Sequence, residues 1–207
     1  MVLSIRYRTA MAPRKTASRP RLTPDDWVAA ALSAIAEGGL AAVAIEPLAA
    51  RLGATKGSFY WHFANREGLL EAALASWERQ TTTEVAARAR AAAPDPAGQL
   101  RLLITEVARI AETDRVGLAL LASAAQPAVA ATLERVTRHR LAILVTLFGE
   151  LGLPPATARR RALLAYSAYL GHAQLSHTTP GLLPRGPAAR HSYLDEVITT
   201  LTSRPPG

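Results

Sequence analysis

The amino-acid sequence predicts an all-α protein on three observations. Apolar residues recur at helical spacing, glycine and proline break the chain between these stretches, and no alternating stretch of useful length suggests a strand. The 207 residues are 49% hydrophobic, enough for a substantial core, and they contain no cysteine. A disulfide framework and any cysteine-ligated zinc finger are thereby excluded.

The first helix is predicted over 24–37. Thr23 can cap it, Pro24 fits the first helical position, and Asp25 and Asp26 face the positive end of the helix dipole. Val28, Ala31, Leu32 and Ile35 form its apolar stripe, and Gly38-Gly39 supplies the exit. Ile45, Leu48, Ala49 and Leu52 repeat the pattern in a second, shorter helix that stops at Gly53. A third helix is expected over 56–63, and the second and third together read as a helix-turn-helix.

Asn65 can cap a fourth helix carrying Leu70, Ala73, Leu74 and Trp77, continued by an alanine-rich stretch to about Ala93. Pro94 and Pro96 break it. Further helices are expected at about 97–113, 116–125, 128–151, 155–176 and 189–202, separated by Pro127, by Gly152-Leu153-Pro154-Pro155 and by the segment from Pro180 to Pro187.

The third helix carries the most telling run of residues. At about 100° per residue, Phe59 and Phe63 share a line that must face the second helix. Gly57, Ser58 and Trp61 fall on the opposite side, with Tyr60 and His62 on the flanks. A solvent-facing tryptophan suits contact with a DNA backbone or a thymine methyl. Thr55, Lys56 and Ser58 lie at the helix start, the end that a helix-turn-helix presents to base edges. Lys56 can donate to guanine, Gly57 permits close approach, and Tyr60 and His62 suit phosphate oxygens. Arg66, just beyond, is a candidate phosphate clamp.

Charge points the same way. With 24 basic against 16 acidic residues, the formal net charge is +8, and double-stranded DNA is the expected partner. Arg6, Arg8, Arg14, Lys15, Arg19 and Arg21 lie in residues 1–22 with no acid among them. This basic arm is expected to be disordered when free and suited to phosphates or the minor groove.

The run Ala49-Ala50-Arg51-Leu52-Gly53-Ala54-Thr55-Lys56-Gly57-Ser58-Phe59-Tyr60-Trp61-His62-Phe63, followed by Asn65-Arg66-Glu67-Gly68-Leu69-Leu70, resembles the TetR family of bacterial transcriptional regulators. The resemblance covers roughly residues 23–77. It implies that the segment after the turn is the recognition helix, that Tyr60 and His62 brace phosphates, and that Arg66 grips the backbone. Many relatives carry threonine before the second helix and a basic residue in its first turn, where this chain has Ala44 and Glu46. Ala44 cannot cap, and Glu46 repels a phosphate.

The same resemblance implies three segments: the arm at 1–22, a helix-turn-helix DNA-binding domain at 23–68, and a helical effector-binding and dimerisation domain at 69–207. It implies a homodimeric repressor that reads a palindromic operator and is released by an unknown small-molecule effector. The last two helices would form the dimer interface, with Leu163, Leu164, Leu170, Leu194, Val197, Ile198 and Leu201 available for it. Arg109, His139, Tyr166, Tyr169 and His172 are polar or aromatic groups on otherwise apolar helices and are the candidate ligand contacts. Gly117 and Gly171 could open room for a ligand or serve helix packing.

No nucleophile, base and orienting carboxylate stand at interpretable spacing, so the chain is not expected to be an enzyme and no catalytic residue is assigned. No metal ligands and no cofactor are expected. No apolar run approaches a membrane span, and Arg6 and Arg8 interrupt any signal-peptide core, so a cytoplasmic protein without membrane contact is expected. The alternative function is a helical scaffold or membrane-surface protein that uses the basic arm.

Overall fold

Nearly every helix begins on a residue that either lacks an amide hydrogen or satisfies one. In the computed structural model, which describes residues 22–203, α1 (Pro24–Gly38) opens with a reciprocal cap: Asp26 N–H donates to Thr23 Oγ1, and Thr23 N–H donates to Asp26 Oδ2 at 2.7 Å. Gly39, at φ 71°, turns the chain into a short 3-10 turn (Leu40–Ala42). There follow α2 (Ile45–Leu52) and α3 (Lys56–Tyr60), then α4 (Arg66–Glu78), capped by Asn65, whose Oδ1 accepts from Gly68 N–H at 2.8 Å. Ala44 precedes α2 without any side-chain cap, as its methyl group dictates.

Beyond α4 the helix continues through a π-helical turn (Arg79–Thr83) into α5 (Glu84–Ala92). The sequence reads this stretch as one uninterrupted helix. Its three consecutive threonines explain the difference: Thr81 Oγ1 donates to the Trp77 carbonyl at 2.8 Å and competes with the backbone ladder. The remaining helices are α6 (Pro96–Ala111), α7 (Arg115–Ala122), α8 (Pro127–Glu150), α9 (Pro155–Thr178) and α10 (Pro187–Thr202). Proline stands at the start of α1, α6, α8, α9 and α10, where the missing N–H costs nothing.

Three apolar clusters hold these helices together. The first joins α1, α2, α3 and the start of α4 around Trp27, Ile35, Leu48, Phe59 and Leu69, all buried. Trp27 meets Phe59 edge to face at 5.3 Å, and burying each of these large side chains contributes roughly 1.5 to 3 kcal/mol. The second cluster packs α5, α6, α8, α9 and α10 around Leu100, Phe148 and Ala162. The third lies between them and draws Leu40, Leu74, Trp77, Leu120, Val129 and Val136 together. Helix α4 therefore serves both ends of the molecule. A division at residue 68 falls inside it, because Leu69 and Ala73 complete the first cluster.

One expectation about surfaces is corrected by this packing. Ile198 and Leu201 are buried in the second cluster and so are spent within one chain, whereas Leu194 and Val197 pack against it while keeping part of their surface open. Leu163 and Leu164 on α9 remain exposed, at 58% and 50%.

Candidate nucleic-acid interface and ligand cleft

The turn between α2 and α3 depends on Gly53. Its φ of 62° and ψ of 33° are left-handed, where glycine carries no Cβ penalty, and Ala54 N–H closes the turn on the Ala49 carbonyl at 2.8 Å. Thr55 Oγ1 then accepts from Ser58 N–H at 3.2 Å and starts α3. Lys56, Gly57 and Tyr60 are exposed and Ser58 is half-buried. A Cβ on Gly57 would have only Thr55 Oγ1 near it, at 3.7 Å, so the outer surface there is open.

Helix α3 is shorter than the 56–63 span predicted from sequence. It ends at Tyr60, and Trp61 and His62 occupy the turn that follows, with the amides of His62 and Phe63 both donating to the Phe59 carbonyl. The consequences for burial are nevertheless those of the helical wheel. Phe59 is buried, Phe63 stacks on it at 5.6 Å, and Trp61 stands outward at 81% exposure. Tyr60, at 52% exposure, meets Phe59 edge to face, with ring centres 5.2 Å apart. His62 is half-buried between this surface and α1.

Two charged residues behave differently from their sequence reading. Lys56 Nζ donates to Glu46 Oε1 at 2.9 Å, a pairing across the turn that sequence spacing does not reveal. That hydrogen bond raises the Lys56 pKa above its ordinary value and lowers that of Glu46. Arg66, the candidate phosphate clamp, is turned inward. Its Nε donates to the Val43 carbonyl at 2.5 Å and its Nη2 to the Leu40 carbonyl at 2.8 Å. The guanidinium thus ties the start of α4 to the chain between α1 and α2, pairing with the Val43 carbonyl and adding a second donor to the Leu40 carbonyl, which also accepts from Val43 N–H at 3.2 Å. The basic arm lies outside the described residues.

In the C-terminal part, Tyr166 and Tyr169 line a cleft bounded by the π turn, α5, α6, α8 and α9. Its empty space, counting the mouth, is about 570 Å³. The two rings stack at 5.9 Å, and the Tyr166 hydroxyl pairs with Thr137 Oγ1 at 3.0 Å. Burial raises the pKa of the Tyr169 phenol above its ordinary value, so it remains an O–H donor. His172 is placed nearby, beyond Tyr169, where it stacks on Tyr193 at 5.9 Å.

Arg109 and His139 are not brought to this cleft. Arg109 is exposed and donates to Glu106 on its own helix at 2.8 and 2.9 Å. His139 lies 3.8 Å from Glu78, toward a separate surface hollow. Gly117 donates its N–H to the capping Asp114, a Cβ there would meet Asp114 Oδ2 at 2.5 Å, and it lines a second, smaller hollow with Trp77 and Leu118. Sequence reading missed Arg140, which reaches the cleft from α8. The signal was present: with Val136, Ile143 and Leu144, Arg140 falls on an apolar stripe at i, i+4, i+7 and i+8 spacing.

Among the described residues, no three His, Cys, Asp or Glu side chains converge on a metal-sized site, and no helix is long and apolar enough to cross a membrane.

Residues 28–73 match the family of bacterial regulatory proteins called tetR. Along its length the chain is similar in structure to a transcriptional regulator from Rhodococcus sp. Rha1, with a TM-score of 0.70, 23% identity, and coverage of 87% of this chain and 96% of that one. It is also similar to SCO4454, a TetR-family transcriptional regulator from Streptomyces coelicolor, with a TM-score of 0.67, 18% identity, and coverage of 86% and 95%. No curated protein is matched. Residues 28–73 therefore carry the helix-turn-helix of the tetR family of bacterial regulatory proteins, and the helical fold beyond them is the one these regulators share.

Proposed function

We propose that the protein is a homodimeric repressor that binds a palindromic operator through residues 55–62 and leaves it when a small effector occupies the C-terminal domain. The observation that carries the DNA-contacting part is the outward position of Trp61 beside Tyr60, just beyond a helix whose start offers Lys56. An indole at 81% exposure is a poor surface group in water, and it suits a duplex edge. In this reading Lys56 and Ser58 address bases, Gly57 lets the backbone approach, Thr55 fixes the helix start, and Tyr60 and His62 hold phosphates. Arg66 acts at one remove, by bracing the frame. The domain that reads DNA comprises residues 23–68, and residues 69–207 hold the effector and the dimer contacts.

The exposed pair Leu163 and Leu164 supports dimerisation through α9, since adjacent leucines at 58% and 50% exposure gain by being covered. Two recognition helices would then address half-sites about one turn of DNA apart, roughly 34 to 36 Å, or somewhat more. An effector that favours a different spacing releases DNA, and by linkage DNA weakens the effector in return. Footprinting on the duplex upstream of the protein's own gene tests the reading: two protected half-sites related by a dyad are expected, and a single protected half-site, or none at low salt, would contradict it.

A further inference from the structure

Arg140 stands at the wall of the C-terminal cleft with no carboxylate within 4.0 Å among the described residues. Its hydrogen-bond partners are neutral, while Asp114, which shares an adjoining hollow with it, is engaged by Trp77 and Gly117. Nε donates to Thr82 Oγ1 at 2.9 Å, Nη2 to Thr81 Oγ1 at 3.0 Å, and Nη1 to the Tyr169 hydroxyl at 3.4 Å. The guanidinium also lies 5.4 Å from the ring centres of both Trp77 and Tyr169. These contacts fix its orientation and partly offset its desolvation, but they leave its positive charge without a direct ion pair in a partly buried place.

The rest of the cleft is of the opposite character. Leu103, Ile104, Val107, Ile110, Ile143 and Leu144 line it. A single oriented guanidinium at the edge of an aliphatic hollow selects for a ligand with one compact anionic head and an apolar body, because each half alone leaves the other half of the site uncompensated.

We propose that this cleft binds a small organic carboxylate, its head paired to Arg140 and its hydrocarbon body along the aliphatic wall. Arginine is suited to this task, since its planar fork meets both carboxylate oxygens. Thr81, Thr82 and Tyr169 can each rotate a hydroxyl to donate to the same head. The proposal names the ligand class for the effector domain proposed above and rests on that reading for its regulatory meaning, though not for the binding itself. The regulatory link has a physical route. Thr81 and Thr82 belong to the π turn that continues α4, and Trp77 is an α4 residue. A carboxylate that draws Arg140 away from the two threonines therefore acts on the helix that carries the DNA-reading end.

The test is calorimetric titration of the full-length protein with straight-chain aliphatic carboxylates and with primary alcohols and methyl esters of matching length. The expected result is that the acids bind at least about tenfold more tightly than their neutral counterparts, and that Arg140→Gln abolishes the difference while leaving alcohol binding intact. Should Arg140→Gln fail to fold, Val107→Trp, which fills the aliphatic wall from α6 rather than from the helix that carries Arg140, is expected to weaken the acids and their neutral counterparts alike. Neutral ligands binding as tightly as acids, or no acid binding up to its solubility, would overturn the proposal. DNA binding is read separately by duplex anisotropy without ligand, so failure of the repressor reading and failure of the carboxylate site give different results.

Discussion

Lys56 and Glu46 form an ion pair across the α2–α3 turn, with Nζ 2.9 Å from Oε1. The lysine at the start of α3 is thus held by an acid from the first turn of α2. Both groups are exposed, so the pair orients Lys56 rather than stabilising the fold.

Replacing Glu46 by glutamine removes the competing carboxylate and one repulsive charge near the duplex. Affinity for specific and random DNA should both rise, and the slope of log affinity against log salt should steepen by up to about one ion. An unchanged slope in fluorescence anisotropy would mean that Lys56 stays away from the duplex. In the same assay Lys56→Ala should lower discrimination between operator and random DNA by roughly ten- to a hundredfold, whereas Tyr60→Phe should weaken both alike.

Arg66 offers a contrast. Because its guanidinium satisfies the Val43 and Leu40 carbonyls, Arg66→Ala should cost roughly 1 to 3 kcal/mol in urea unfolding. Its salt slope for DNA should stay that of the unaltered protein. The opposite pair of results, normal stability with a slope reduced by about one, would restore it as a phosphate clamp.

Much of this architecture was legible in the sequence because local chemistry fixed it: Thr23 with Asp26, Gly53 in the left-handed turn, Asn65 as a cap, and prolines at helix starts. Trp61 was legible too, although the helix expected to present it stops one residue earlier. Partners distant in sequence were not. Trp27 is buried against Phe59, yet the stripe read from Val28 onward left it out, even though Trp27, Ala31 and Ala34 keep helical spacing. The inward turn of Arg66 depends on where two carbonyls of another segment fall, and no periodicity encodes that. The π turn arises from a competition between threonine hydroxyls and backbone that a helical wheel does not register.

Trp77 Nε1 donates to both oxygens of Asp114, at 3.1 and 3.2 Å, while Asp114 also accepts from Gly117 N–H at 2.9 Å. Since a Cβ at position 117 would sit 2.5 Å from that carboxylate, Gly117→Ala should displace the cap and release the indole. A loss of roughly 1 to 2 kcal/mol and an altered tryptophan emission spectrum are expected. Unaltered stability and emission would show that the carboxylate moves without cost.

His172 sets a pH dependence. Burial pushes its imidazole below the ordinary value of 6.5, an effect that Glu112 opposes and Arg190 reinforces, and neither ring nitrogen has a hydrogen-bond partner. The unfolded chain therefore takes up a proton near pH 6.5 that the folded chain still refuses. This contribution is fully present above that pH and lost as pH falls through it toward the folded value. Urea midpoints on either side of pH 6.5 should diverge less in His172→Phe, which keeps the stack on Tyr193, than in the unaltered protein. Equal divergence in both would assign the acid sensitivity elsewhere.

The account stands on the surface around Trp61, and one anisotropy titration tests it most directly: Trp61→Ala and the unaltered protein against the same duplex from upstream of the gene. Because the indole is exposed, the substitution should leave the unfolding midpoint unchanged while weakening DNA binding by about tenfold or more. Equal affinity of the two proteins for that duplex would contradict it.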